Sequence, residues 1–317
     1  MINRIIKRVA ALSLLLLTGT TGVVKAQFDA MFTQFMNNEM FINPAYAGTK
    51  EALSLTALHR QQWVGFDGRP ITTTFSAHAP IIANRMGVGL SFLNERIGVL
   101  DRNIIYGSYA YHLQMNETDY LSLGIMGGVH LQLNRLGNVN TVQSGDPEFS
   151  ANTPTVATPN FGFGAYYHNE KFYAGFSIPR MIDDNLQVNS SGVVLKDLTV
   201  NFKNFHYYLM GGRIFNISPN LKLKPQAMIK LAQGAPVQFD INLSTLIKER
   251  LWIGAAYRTE ADVSGLLGIY LTPQLLLGYS YDYPLTQIQD YTTGSHEITL
   301  SYVFGFGGKK IVSPRYF

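Results

Sequence analysis

The strongest constraint on this chain is a period of two that holds over unusually long stretches. In "LSLGIMGGVHLQL", Leu121, Leu123, Ile125, Gly127, Val129, Leu131 and Leu133 share one face, and Ser122, Gly124, Met126, Gly128, His130 and Gln132 share the other. "VQFDINLS" separates Val237, Phe239, Ile241 and Leu243 from Gln238, Asp240, Asn242 and Ser244. In "LKLKPQAMIKL", Lys222, Lys224, Gln226 and Lys230 stand opposite Leu221, Leu223, Ala227, Ile229 and Leu231. "ITTTFSAHA" and "EITLSYVF" alternate in the same way. Successive side chains of a strand point to opposite faces, so each segment is a strand with one apolar and one polar side.

About fourteen such strands can be placed, an even number that suits a bacterial outer-membrane barrel. Their centres fall near Leu55, Phe75, Leu90, Tyr109, Val129, Phe163, Ala174, Met210, Met228, Ile241, Ala255, Gly268, Tyr279 and Leu300. Every even-numbered join is short, including "PIIANR", "HNEK", "NISPN", "IKER" and "TPQ". The two long joins, 135–158 and 181–203, are both odd-numbered. Short periplasmic turns and longer outer loops produce that rhythm when both ends of the barrel face the periplasm. A secreted β-sandwich alternates too, but its strands usually run to about five or six residues. A tilted membrane strand needs about ten, as here. Tyr106, Tyr120, Tyr166, Tyr167, Tyr207, Tyr208, Tyr281 and Tyr283 lie near strand ends, where an interfacial belt is expected.

The N-terminus reads as an export signal: Arg4, Lys7 and Arg8, an apolar run from Val9 to Leu17, then Val24 and Ala26 before a cut at Ala26–Gln27. Four of the 25 bases lie in that leader, which leaves 21 bases against 21 acids. No basic stripe remains to suggest nucleic acid. The absence of cysteine excludes disulfides, thiolate metal sites and a cysteine nucleophile. Mean hydropathy is +0.04, far below that of a helical membrane protein. The expected organisation is a signal peptide (1–26), an N-terminal periplasmic or luminal segment (27–52), an all-β transmembrane antiparallel barrel (53–306) and a tail (307–317). The tail carries Lys309, Lys310 and Arg315 and ends in Phe317.

Catalytic chemistry finds little support. The seven histidines show no ligand spacing, and no nucleophile-elbow pattern is present. His78 and His130 fall on the polar side, where hydrogen-bonded luminal residues are expected. Asp240, Asp282, Glu297, Lys222, Lys224 and Lys230 also face inward by alternation. Both signs together fit cross-strand ion pairs filling a narrow lumen, and they fit the lining of an aqueous pore as well. "GFGAYYHN" has too few glycines for a dinucleotide loop and lies in a strand. A non-enzymatic barrel without cofactor, catalytic residue or metal is the reading that follows.

Just before the first strand stands "FINPAYAG" (41–48), with a turn-initiating Asn43–Pro44 and small residues able to pack in a confined space. Such a segment could tuck into the lumen, close the periplasmic mouth or meet a partner. "QFMNNEMFINPAYAG" and "HRQQWVGFDGRPITTTFSAHAPI" resemble the PorP/SprF family of type IX secretion system outer-membrane proteins. The resemblance runs through Gln34, Asn37, Asn43, Pro44, Ala45, Tyr46, Ala47 and Gly48. It continues through Arg60, Gln62, Trp63, Gly65, Phe66, Gly68, Pro70, Thr72, Thr74, Ser76, His78 and Pro80. The family often has Asp-Pro after the cleavage site, where this chain reads "QFDAMF".

The resemblance implies an outer-membrane component of the machinery that exports proteins with C-terminal sorting domains. Its implied partners are the membrane, periplasmic ring components, an OmpA-like peptidoglycan-binding protein and secreted cargo. Residues 43–48 are expected to structure the periplasmic mouth or touch a partner, and 61–70 to form the first outer loop, with Trp63 and Phe66 at the interface or in the lumen. The competing function is a channel for hydrophobic solutes of the long-chain fatty acid transporter type, which also has about fourteen strands.

Overall fold

A computed structural model describes residues 30–50, 52–82, 85–138, 152–182, 186–188, 194–196, 200–202, 205–233 and 235–305. The expected signal peptide and the tail lie outside them. Fourteen antiparallel strands close into a barrel. In chain order they are β1 (Ser54–Gln61), β2 (Ile71–Ile81), β3 (Met86–Ile97), β4 (Leu100–Gln114), β5 (Tyr120–Asn134), β6 (Val156–His168) and β7 (Phe172–Ile178). There follow β8 (Tyr207–Arg213, resuming as Phe215–Ser218), β9 (Leu221–Leu231), β10 (Gln238–Ile247), β11 (Leu251–Arg258), β12 (Asp262–Tyr270), β13 (Leu275–Pro284) and β14 (Ser295–Val303). Each pairs with its sequence neighbours. The cylinder shuts where β1 meets β14, with Ser54 opposite Val303 and Gln61 opposite His296. All fourteen strand centres expected from the alternation fall inside these strands. A small hairpin, Leu186–Val188 with Val194–Lys196, sits in the long join after β7.

No described helix is long and apolar enough to cross a membrane; the strands do so. The alternation sorts cleanly: Leu90, Ile125, Phe161, Ile241 and Ile298 stand exposed on the outer, lipid-facing wall. Their neighbours Ser91, Met126, Asn160, Asn242 and Glu297 are buried inside. Closing the sheet leaves it without a free edge, which a hydrocarbon setting requires.

The apolar core lies in the lumen. Phe32, Phe35, Met40, Ile42, Ala45, Tyr46 and Ala47 pack there against inward residues including Tyr106, Tyr166, Tyr173, Met210 and Met228. Three tyrosines expected in the interfacial belt, Tyr106, Tyr166 and Tyr208, are therefore buried inside. Proximity to a strand end does not decide the face. In the adjacent pairs Tyr166–Tyr167 and Tyr207–Tyr208, the period of two sends one ring inward and the other outward.

An arginine placed at Ile241 (Ile241→Arg), midway along β10 on the lipid face, should destabilise the barrel by about 2–4 kcal/mol. Urea titration of the barrel folded in liposomes measures it, with an unchanged midpoint counting against a lipid-facing Ile241.

Candidate functional site

The segment 30–50 occupies the lumen as a plug. It runs through a 3-10 turn (Phe35–Asn37), one helical turn (Glu39–Ile42) and a second 3-10 turn (Pro44–Tyr46). With the short joins assigned to the periplasm, it descends from the outer ends of the strands to the periplasmic side, where β1 begins. Of the three placements open to it from sequence, it takes the luminal one.

Its upper part is held by charge. Glu297 on β14 accepts from two plug backbone groups, the N–H of Thr33 on Oε2 (2.9 Å) and of Gln34 on Oε1 (2.7 Å). Arg60 on β1 bridges Glu297 (3.2 Å) and Asp282 on β13 (2.6 Å). It also donates to Thr33 Oγ1 (2.8 Å), whose hydroxyl donates to Asp282 (2.8 Å). Arg258 on β11 donates to the Phe32 carbonyl (3.0 Å), to Asp240 (3.0 Å) and to Asp262 (3.1 Å). Lys230 on β9 completes the arc by reaching Asp240 at 2.8 Å. A buried charge is tolerable only when paired and hydrogen-bonded, and here the plug backbone supplies part of the pairing. The two-signed interior is thus a network of cross-strand ion pairs.

Its lower part is held by shape. Asn43 caps the second 3-10 turn, its Oδ1 accepting from the Ala45 N–H (3.0 Å), while its Nδ2 donates to the carbonyls of Ala165 (3.0 Å) and Phe176 (3.3 Å). The caps and carbonyls are brought together because the wall beneath is glycine. A Cβ on Gly164 would stand 1.9 Å from Asn43 Oδ1, one on Gly124 2.3 Å from the Ala45 nitrogen, and one on Gly87 1.9 Å from the Ala47 carbonyl oxygen. Gly48 takes φ +82°, a conformation open to glycine, and donates its N–H to His78 Nδ1 (3.0 Å). Asn43, Pro44, Ala45, Tyr46, Ala47 and Gly48 are all buried.

Glu39 sits in the plug beside Lys224, Tyr166 and Lys50, and burial raises its carboxyl to about 7 against the opposing pull of the two lysines. His130 meets the Tyr106 hydroxyl at 2.5 Å, so both singled-out histidines are hydrogen-bonded inside the barrel. Among the described residues no group of three or more His, Asp or Glu could hold a metal ion.

The motif residues of the sequence divide in two. Residues 43–48, Arg60 and His78 meet in the plug and its seat. Gln62, Trp63, Gly65, Phe66, Gly68 and Pro70 form the first outer loop, away from the seat. There the Gln62 N–H meets the Pro70 carbonyl (2.9 Å), Val64 pairs with Gly294, and the Trp63 N–H donates to Ser295 Oγ (3.1 Å). Gly65 and Gly68 supply the positive φ the loop needs, and Trp63 shares it at φ 55°. Phe66 is exposed and Trp63 half-buried. Sequence reading missed the plug contacts of Thr33, Gln34, Arg258 and the glycines. The inward register of Gly124 and Gly164, beneath an unusually small-residue segment, is the signal that could have found the seat.

The profile of type IX secretion system membrane proteins PorP/SprF matches residues 24–302. The chain belongs to that family. It is an outer-membrane β-barrel of the type IX secretion family. Comparison with curated proteins gives no match. Among solved structures, the PorP/SprF barrel is similar to Omp33 of Acinetobacter baumannii (9% identity, 80% of this chain and 99% of that one, TM-score 0.48). It is similar also to the CymD monoaromatic hydrocarbon channel (12%, 89% and 96%, 0.48) and to a Pseudomonas aeruginosa FadL homologue (11%, 81% and 89%, 0.44). These likenesses are too distant to inform function.

Gly164→Ala in this PorP/SprF barrel should cost about 1–3 kcal/mol by overpacking against Asn43, and should free the plug for proteolysis. Gly265→Ala, with open space around it, is the matched control, and equal protease resistance in both would refute the seat. A second test concerns pH. Because Glu39 titrates higher in the folded barrel than in the unfolded chain, the unfolded state loses its proton first. Stability therefore falls as pH rises from about 4.5 to about 7. Glu39→Gln should flatten that slope in thermal melts between pH 4.5 and 8; an unaltered slope would assign it to other groups.

Proposed function

We propose that this barrel is a non-enzymatic anchor of the type IX machinery, a plugged body that ties periplasmic components to the outer membrane and presents an outer face to cargo. The observation behind this reading is the plug itself. The chain fills its own lumen from Phe32 to Gly48, clamped above by Glu297 and Arg60 and seated below on glycine. A lumen so occupied has no passage for a folded protein, and what remains for contact is the two ends. Periplasmic ring components and an OmpA-like peptidoglycan-binding protein would meet the short turns. Secreted proteins with C-terminal sorting domains would meet the outer loops, where Phe66 of the first loop is exposed. Residues 43–48 support the fold in this reading, since reaching a partner would require the plug to leave.

Uptake of an apolar solute is the second reading, and one observation favours it. Beside the plug lies a cavity walled by Phe32, Phe41, Ile104, Tyr106 and Met228, with Arg102, His130, Arg180 and Lys230 as its polar groups. Ligand pockets share that mix of apolar lining and few polar groups.

The deciding measurement is a secretome comparison after gene deletion, with outer-membrane integrity checked. Proteins bearing C-terminal sorting domains should accumulate in the periplasm while other export continues. Their appearance outside at normal levels would remove the secretion role and bring the uptake reading forward.

A further inference from the structure

The plug does not fill the periplasmic end of the lumen evenly. On β11, β12 and β13, three positions of the inward register carry large apolar side chains, Trp252, Leu266 and Leu276. They alternate with Ile253, Leu267 and Leu277, which face lipid. Inward residues elsewhere in the barrel are mostly polar and buried, whereas these three are half-exposed. Gly268 lies flat between two of them: a Cβ there would stand 3.2 Å from Trp252 Cβ and 3.6 Å from Leu276 Cδ1. The plug borders the same space, because Gln34 Oε1 sits over Gly278 of β13 and takes a hydrogen bond from half-exposed Asn37 (3.2 Å). Among the described residues, these side chains form an apolar vestibule on the inner wall, bordered by the plug at Gln34 and set toward the periplasmic ends of β11 and β13.

Its charge is one-sided. Lys224 Nζ lies 5.8 Å from the Trp252 ring centre, within cation–π range. Lys222 is ion-paired with Glu249. Lys50 is half-buried at the foot of the plug, and Lys248 and Arg250 are exposed on the turn that leads into β11. Among the described residues, two acids, Glu249 and the buried Glu39, stand against these five bases. Apolar side chains with a surplus of positive charge around them select an apolar segment bearing carboxylates.

We propose that this vestibule is the docking site for an acidic, apolar segment of a periplasmic protein, with apolar side chains seated on Trp252 and Leu276 and carboxylates directed to the lysine side. The identity of the vestibule as a partner site rests on the anchoring function proposed above. Its chemistry can be tested apart from that function.

The chain has two tryptophans, so Trp63→Phe in the full-length folded barrel leaves Trp252 as the sole indole. The probe is a short peptide alternating leucine with glutamate, titrated beside a counterpart with lysine in place of glutamate. The expected result is a saturable change in Trp252 emission, with the glutamate peptide bound about tenfold or more tighter. Leu276→Lys should abolish it; Leu276→Ser takes its place if the lysine variant loses the heat-modifiable gel migration of a folded barrel. No saturable change, equal binding of both peptides, or undiminished binding by a folded Leu276 variant would overturn the proposal. Failure here with export still dependent on the gene removes the vestibule and leaves the anchoring function. Selective binding with export independent of the gene supports the vestibule and removes the secretion role.

Discussion

A carboxylate at the outer end of β14 meets the plug through its backbone, and the interior of this barrel is arranged around that contact. Glu297 is wholly buried, with no lipid or bulk water to solvate it. Two consecutive plug N–H groups and Arg60 take up its charge. The same contact answers a need of the plug, whose irregular backbone has few partners of its own between the short helical turns. Each side satisfies what the other would leave orphaned, and unsatisfied polar groups in a low-dielectric interior are expensive. The ring continues through Asp282, Arg258, Asp240 and Lys230, so strands far apart in sequence are tied through one network.

Below that ring the physical basis changes. The seat of residues 43–48 holds no ion pair; it is a matter of how closely two backbones can approach. Gly87, Gly124 and Gly164 remove the side chains that would lift the plug from the wall, and Asn43 then spans the remaining gap with hydrogen bonds to two strands. The small residues of the plug and the glycines of the strands are two halves of one fit. Interiors packed at this density transmit any added methyl to their neighbours. The two ends of the plug are therefore held by different forces, one sensitive to charge and the other to volume.

This division also orders the family residues. Residues 43–48, Arg60 and His78 explain themselves by the plug, and those in the first outer loop do not. The outer loop is knitted by its own backbone hydrogen bonds to the start of β14, and it keeps Phe66 exposed. Membership of the PorP/SprF family gives these residues a common setting, an outer-membrane secretion component, and the geometry separates those that hold the plug from those that form the first outer loop.

What the sequence determined by itself was the wall. A period of two records which side chains face lipid, because lipid accepts only apolar groups and successive side chains of a strand point to opposite faces; strand number, short turns and the inward charges were all legible from it. The plug's position was not. "FINPAYAG" carries no periodicity, and its fit depends on Gly124 and Gly164, which lie roughly one hundred residues away and come under it only when the barrel closes. Arg60 could be read as inward-facing, but its pairing with Asp282 and Glu297 follows from β1 closing against β14. The inward face of Tyr106, Tyr166 and Tyr208, by contrast, follows from the alternation, which nearness to a strand end overlooks. Alternation is a local property and survives in the sequence. Complementarity between a segment and the wall that encloses it is made only by tertiary closure.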